Sequence, residues 1–358
     1  MNASPFHFHG PLEPDDVTGR DEVVADLVER VTERRPTVVV APRRFGKTSV
    51  LGRVAAELAD TTTVITVDLY EVRSWADFAA RLDDAVAGVV GDGRTRLDRI
   101  AAGLELSLGV VKATFSRPDR PPADTTADRL VDVIIAHGLD SPTVLIFDEF
   151  SSIVRIDGAA GLLRTKLQRH FATIGLLFAG SEPSTMRMLF ADVDQPFYAQ
   201  ADLVDLPGLD QVLVDRLITD GFDGTPPAGL AARLFDFTRG HPQRTMQIAD
   251  TAWRLVENGA AVNDVWPDVL AAVRAATDSG FELRFSGLAP AEQAVMRLAA
   301  ADGILHGRDA QLLSLSASSA DAAKRTLIDR GQIESTTGAR VGVIDPMFAD
   351  WLRRRFSL

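Results

Sequence analysis

Three short stretches of this chain place side chains at spacings that could do chemistry. The first reads Val38-Val39-Val40-Ala41-Pro42-Arg43-Arg44-Phe45-Gly46-Lys47-Thr48-Ser49. It keeps the P-loop pattern G-x-x-x-x-G-K-[ST] except for its opening glycine, which is Ala41 here. Gly46 lets the backbone turn its N–H groups inward toward a phosphate. The helix expected to follow aims free N–H groups and a positive dipole end at the same anion. Lys47 would reach the outer phosphates as a mobile point charge, and Thr48 would offer its hydroxyl to Mg²⁺. Of the 38 basic residues only Lys47, Lys112, Lys166 and Lys324 are lysine. One of these few stands where the planar fork of an arginine would serve poorly. Ala41 is tolerable only if it keeps an ordinary φ.

The second stretch is Val144-Leu145-Ile146-Phe147-Asp148-Glu149. Four apolar residues running into two acids describe a buried parallel strand that ends at the crevice where such sheets bind ligands. Asp148 would hold Mg²⁺ through water, and Glu149 would orient or activate an attacking water. The third stretch is Ile174 to Glu182, another apolar run with a polar tip, where Ser181 either senses the outer phosphate or water, or simply caps a turn.

These residues need a scaffold, and the chain has length for it. Its 358 residues, 46% apolar and 25% charged, suit a soluble globular protein of two or three domains. No run of about 18 uncharged apolar residues is present, so no membrane span is expected. The N-terminus lacks the cationic flank and apolar block of a signal peptide, and cysteine is absent, which fits a cytoplasmic protein. The net charge of −12 opposes a whole-protein role in nucleic-acid binding, though a local patch could survive it. His7 and His9 have no third ligand nearby and are expected to be solvated or packed rather than to hold a metal.

The periodicity predicts a first amphipathic helix to about Arg34, the strand–loop–helix of the P-loop, a strand at 62–69, a helix at 74–91 capped by Ser74, and a helix at 126–137. The acidic strand, a helix at 159–171, the strand that ends at Ser181 and a short fifth strand at 201–206 follow. This alternation predicts a parallel five-stranded α/β core over residues 1–207. Beyond Pro207-Gly208 only helices are expected, at 209–220, 227–238, 243–257 and 263–278, which form a helical lid over 208–285. In Gly240-His241-Pro242-Gln243-Arg244 either the glycine and proline merely punctuate two helices, or His241 or Arg244 overlies the nucleotide. Three more helices, a hairpin around Thr337-Gly338 and a closing helix at 346–356 give winged-helix order over 286–358. The third of those helices would be the groove reader, with Lys324, Arg325 and Arg330 facing Asp321 and Asp329, a weakly basic surface. Arg353, Arg354 and Arg355 at the end could simply complement a helix C-terminus.

In this order the motifs resemble the archaeal-type ATPases, a branch of the AAA+/STAND P-loop NTPases. The likeness covers nearly the whole length. It is carried by Val17-Thr18-Gly19-Arg20, Pro42 to Ser49, Leu145 to Glu149, Phe178-Ala179-Gly180-Ser181, Gly240-His241-Pro242, Asp345-Pro346-Met347-Phe348 and Trp351-Leu352. The resemblance implies an ATP-binding core, a lid and a C-terminal winged helix. It also implies Val17, Gly19 and Arg20 beside adenine, Pro42, Arg43, Arg44, Phe45, Gly46, Lys47, Thr48 and Ser49 around the phosphates, and Thr48 and Asp148 on Mg²⁺. Glu149, Lys47 and Ser181 would be the catalytic set, and Pro242 would join lid to nucleotide. Gln200 stands where the family tends to have arginine, in a Tyr-Gly-Arg sequence. Loss of that charge could slow turnover by about 10³-fold or more, unless Arg187, Arg43 or Arg44 substitutes. The expectation is a slow Mg²⁺-dependent ATPase that acts as a conformational switch, with ATP and ADP as ligands and a protein partner. The alternative is a winged-helix DNA-binding regulator in which nucleotide is mainly structural.

Overall fold

Apolar runs too continuous for half-exposed strands form the middle of one sheet. A computed structural model describes residues 3–89, 122–259, 264–301, 304–335 and 340–356. The five parallel strands are β1 (Thr37–Val40), β2 (Thr63–Asp68), β3 (Thr143–Asp148), β4 (Ile174–Gly180) and β5 (Asp202–Asp205), in the order β2-β3-β4-β1-β5. Every residue of β1, β3 and β4 is buried, as a parallel sheet covered on both faces requires. The pleat sorts them by face. Val38, Val40, Leu145, Phe147 and Phe178 pack with Phe78, Leu82, Ile134 and Phe190 on one side. Val39, Ala41, Val144, Ile146 and Leu177 pack with Val24, Leu27, Val50 and Val54 on the other. β5 is an edge strand whose two ends are the exposed Asp202 and Asp205, which discourage further pairing.

Strand order decides what meets at the sheet's C-terminal edge. β4 lies between β1 and β3, with Val40 beside Gly180 and Phe147 beside Phe178. The loop after β1, the acids after β3 and the residue after β4 therefore emerge side by side. Helix α1 (Asp21–Thr32) and helix α2 (Lys47–Leu58) cover the face that carries Val39. Ser74 caps its helix as expected, accepting the Asp77 N–H at 3.2 Å, and that helix runs Trp75–Val89.

After the core the chain is helical, with Gln211–Gly221, Leu230–Thr238, Pro242–Glu257 and Trp266–Ser286. The last of these continues past the expected stop near 278. Gly280 does not break it, because beyond it Phe281 stacks on Phe348 at 5.2 Å and Phe285 packs at a tilt on Trp351 at 5.6 Å. Packing outweighs the roughly 1 kcal/mol propensity cost of one helical glycine. Helices Pro290–Ala300, Arg308–Leu312 and Ala317–Asp329, the antiparallel pair β6 (Ile333–Ser335) and β7 (Val341–Val343), and the closing helix Pro346–Arg355 follow. The hairpin turn expected at Thr337-Gly338 lies outside the described residues. One hydrophobic cluster runs unbroken from Leu209 to Leu352 through both helical regions, and Phe6 joins it from the N-terminus. Among the described residues no helix is long and apolar enough to cross a membrane.

Candidate functional site

The loop between β1 and α2 takes its shape from two left-handed residues, Arg44 (φ +71°) and Gly46 (φ +87°). Ala41 is not among the residues with positive φ. Its methyl is buried in the core, so the missing opening glycine costs the loop nothing. Gly46 caps α2, and no atom lies within 4 Å of where a side chain there would begin. That open cradle in front of a helix N-terminus suits a phosphate. Lys47 is buried, and its Nζ donates to the carbonyls of Ala41 (3.0 Å) and Pro42 (3.1 Å). Burial holds its ammonium below the usual lysine range, and the charges of Glu149 and Asp148 partly offset this.

Two further pairs close the site. The Thr48 hydroxyl donates to Asp148 Oδ2 at 2.7 Å, and the Glu149 N–H donates to Asp148 Oδ1 at 2.8 Å. Burial pushes the Asp148 carboxyl above its usual range against those bonds. Glu149 is left-handed (φ +50°), so its side chain leaves the line of the strand. Ser181 Oγ donates to Glu149 Oε2 at 2.5 Å and accepts from Arg43 Nε at 3.4 Å. Gly46, Lys47, Thr48, Asp148, Glu149, Ser181 and Arg43 thus stand together at one sheet edge. The turn-cap alternative for Ser181 is not what its hydroxyl does.

The other expected residues lie around this cluster in several places. Arg20 does not face the site; its guanidinium donates to the Pro207 carbonyl at 2.8 Å and braces the chain where the helical region begins. Ser49 lines the cavity beside Gly46, Lys47 and Thr48, and its hydroxyl accepts the Leu12 N–H at 3.0 Å. Val17 and Gly19 line a cavity of about 700 Å³ between α2 and helix Gln211–Gly221. Val17 also gives its carbonyl to Arg53 at 2.6 Å. Phe45 meets the ring of His241 edge-on at 5.0 Å. Pro242 lines a cavity of about 320 Å³ with Gly46, Lys47, Thr48 and Glu149. Gln200 lies beyond the N-terminal end of β5, where Asp202 sits beside Thr37, at the opposite end of the sheet from the loop. An arginine there would not reach the cradle of its own chain. Arg187 is engaged with Asp205, which leaves Arg43 and Arg44 as the cations at the cradle.

Sequence reasoning gave the N-terminal segment no role. Phe6 packs on Phe222 at 5.7 Å, and Gln243 Nε2 donates to the Phe8 carbonyl at 3.4 Å. With the Leu12 bond, these contacts strap the segment across both cavities. Nothing in a proline-punctuated extended stretch signals that. Gly240 (φ +74°) and Pro242, which opens helix Pro242–Glu257, punctuate two helices, and Arg244 turns to Asp345. Its two nitrogens Nε and Nη2 hold both oxygens of Asp345 at 2.9 and 2.7 Å.

No family model and no curated protein matches the chain. Solved structures do match in shape. The Walker-type ATPase PABY2304 of Pyrococcus abyssi is 17% identical, with a TM-score of 0.67 over 98% of this chain and 99% of that one. The Aeropyrum pernix ORC2 protein, solved in ADPNP–ADP complexes, is 15% identical with a TM-score of 0.57 over 98% of each chain. This chain shares the fold of both structures. The Aeropyrum pernix ORC1 protein, solved in complex with DNA, is 12% identical with a TM-score of 0.52, over 94% of this chain and 93% of that one. The likeness in fold extends along nearly the full length, through the helical C-terminal part as well as the sheet.

Proposed function

We propose that the chain binds Mg²⁺-ATP between its α/β core and a helical lid, hydrolyses it slowly, and acts as a nucleotide-driven conformational switch. The observation that carries this is the convergence of Gly46, Lys47, Thr48, Asp148, Glu149 and Ser181 at one sheet edge. Residues 1–207 are the core in this scheme, 208–285 the lid and 286–358 a winged-helix module.

The residues present suit the ligands. A hydroxyl and a carboxylate 2.7 Å apart are hard oxygen donors. Among the described residues no group of three or more acidic, histidine or cysteine side chains forms a metal cage. Magnesium characteristically takes one or two protein oxygens and completes its shell with phosphate and water. Bound to Thr48 and Asp148, it would neutralise charge on the phosphate oxygens. The protein's own groups do the rest. Lys47 would exchange its two loop carbonyls for phosphate oxygens. Glu149, oriented by Ser181, would take the proton of the attacking water. Arg43 would supply positive charge beside Ser181 as charge builds on the transferring group. Slow turnover is expected because the Glu149 carboxylate is already engaged by Ser181.

A DNA-binding regulator is the second reading, favoured by the order of three helices and a β-pair in the C-terminal part. Its cations are largely occupied. Arg330 pairs with Glu292 at 3.1 Å, Arg353 donates to the Ala300 carbonyl at 3.1 Å, and Arg354 and Arg355 pair with Asp278 and Glu282. One experiment separates the two: Mg²⁺-ATP turnover by wild type and Glu149→Gln, with and without duplex DNA. Turnover lost in the variant and indifferent to DNA supports the switch. Binding without turnover reduces the protein to an ATP sensor. A salt-dependent DNA complex lost in Arg325→Glu supports the second reading.

A further inference from the structure

Behind the phosphate loop lies a second cavity, of about 490 Å³, walled by the loop, helix Pro242–Glu257, helix Trp266–Ser286 and the turn before the closing helix. Arg43 and Arg44 line it on one side and the nucleotide-side cavity on the other. Arg244 and Arg284 line its opposite wall. Arg330 lies at its margin, already paired with Glu292.

The charge in this chamber does not balance. Asp345 is its one carboxylate, and Arg244 takes both of its oxygens. Arg284 reaches the same carboxylate only at 3.6 Å. Among the described residues Arg44 makes no hydrogen bond or ion pair, although its backbone is held left-handed at φ +71°. Arginine does not relieve crowding by releasing its proton, so the excess is permanent. Burial above all, with help from the neighbouring guanidiniums and against the pull of Asp345, holds both Arg44 and Arg284 below the usual arginine range. Like charges gathered round a cavity with one saturated counter-ion leave room for an anion that accepts several forked hydrogen bonds at once. Phosphate chemistry fits this best. The volume suits a small molecule rather than a polymer.

We propose that this chamber is a binding site for a second phosphate-class anion, held chiefly by Arg44 and Arg284, with Arg244 adding positive charge from its pair with Asp345, and separate from the site on Lys47. Two sources share this chemistry: inorganic phosphate leaving the neighbouring cradle, or an oligophosphate from solution. The first source rests on the ATPase reading, and the site itself does not.

Pyrophosphate titrated calorimetrically into the full chain tests it, in two backgrounds. One is wild type saturated with Mg²⁺-ADP; the other is Lys47→Ala without nucleotide. One pyrophosphate is expected to bind in each. Arg284→Gln should weaken it by ~10-fold or more, the loss of one charge-assisted contact. Arg284 also lies over the Phe348 ring at 4.3 Å, so its loss could disturb packing. Gly280→Glu avoids that difficulty. Gly280 lines the chamber in mid-helix, with no atom within 4 Å of the position a side chain would take. A glutamate there replaces a poor helix former and tethers a carboxylate among the arginines. It should abolish pyrophosphate binding while the unfolding temperature holds or rises. No binding in either background, or unchanged affinity in folded Gly280→Glu, overturns the proposal. Failure of ADP to bind sinks the nucleotide reading alone, because the Lys47→Ala titration still decides the chamber. Faster phosphate release after single-turnover cleavage in Arg284→Gln assigns the site to the product. Unchanged release with pyrophosphate still bound assigns it to an external oligophosphate, and both results support the site.

Discussion

At the phosphate cradle, charge is held mainly by backbone and by neighbours close in the sheet. Lys47 rests on the carbonyls of Ala41 and Pro42, and Asp148 takes the N–H of Glu149 next to it. At the junction of helix Pro242–Glu257 with the turn before the closing helix, charge is held by charge. Arg244 and Asp345 are 101 residues apart and make a buried bidentate pair, and Asp345 also caps the closing helix through the N–H groups of Met347 and Phe348. The cradle can release its lysine to a ligand because two carbonyls are a weak hold. The junction cannot release either partner without stranding the other in a dry place. The difference separates a region built to exchange partners from one built to keep them.

Lys47→Ala is the hardest test of the first half. Two charge-assisted phosphate bonds at about 1.5–3 kcal/mol each predict an ATP affinity lower by ~10²–10⁴-fold. The fold should be no less stable, because the substitution removes a desolvated charge. Calorimetric titration and a denaturant melt measure the two. A Lys47→Ala chain that keeps its affinity, or that unfolds, abolishes the distinction. Glu149→Gln sharpens it from within the cradle. Turnover should fall by ~10²–10⁴-fold, the usual worth of a positioned general base, while nucleotide affinity stays near wild type.

Asp345→Ala is the matching test at the junction. It leaves Arg244 buried without its partner and also removes a helix cap. The expected loss of stability is about 3–5 kcal/mol, read as a shift of the denaturant midpoint. Loss of ATP affinity without loss of stability would place Asp345 with the cradle instead.

The same contrast explains how much was legible in advance. Gly46, Lys47 and Thr48 need only one local backbone shape, so their types and spacing announce them. The acids after β3 announce themselves because an apolar run in a parallel sheet must end where ligands bind. The fold followed from that alternation of strands and helices. Ser181 was half legible: the strand was readable, but its place between the P-loop strand and the acidic strand depends on strand order. The resemblance set Arg20 and Ser49 beside the nucleotide, and Arg244 stood open between the nucleotide and a helix boundary. Their actual partners, the Pro207 carbonyl, the Leu12 N–H and Asp345, are set by packing that no local pattern encodes. The strap through Phe6, Phe8 and Leu12 was invisible for the same reason, since three contacts on three different elements leave no periodicity.

His241 joins the two regions, edge-on to Phe45 of the loop and buried beside Arg244 and Asp345. Burial, with a smaller push from Arg244, lowers its pKa from 6.5 to about 4, and Asp345 opposes this. The imidazole is neutral in both states at pH 7. As pH falls through about 6.5 the unfolded chain takes up a proton that the folded chain refuses until about pH 4. The contribution of His241 is therefore fully present above pH 6.5 and is lost on the way down to pH 4. At 1.36 kcal/mol per pH unit this comes to about 3 kcal/mol. Asp148, whose carboxyl is raised by burial, acts in the opposite direction as acid is added, so the total curve understates the effect. The difference between wild type and His241→Gln isolates it. Denaturant melts between pH 7 and pH 4.5 should show the wild type losing stability faster than the variant. Parallel curves would mean that the imidazole is solvated, and the loop and junction would then lack the dry contact that ties them together.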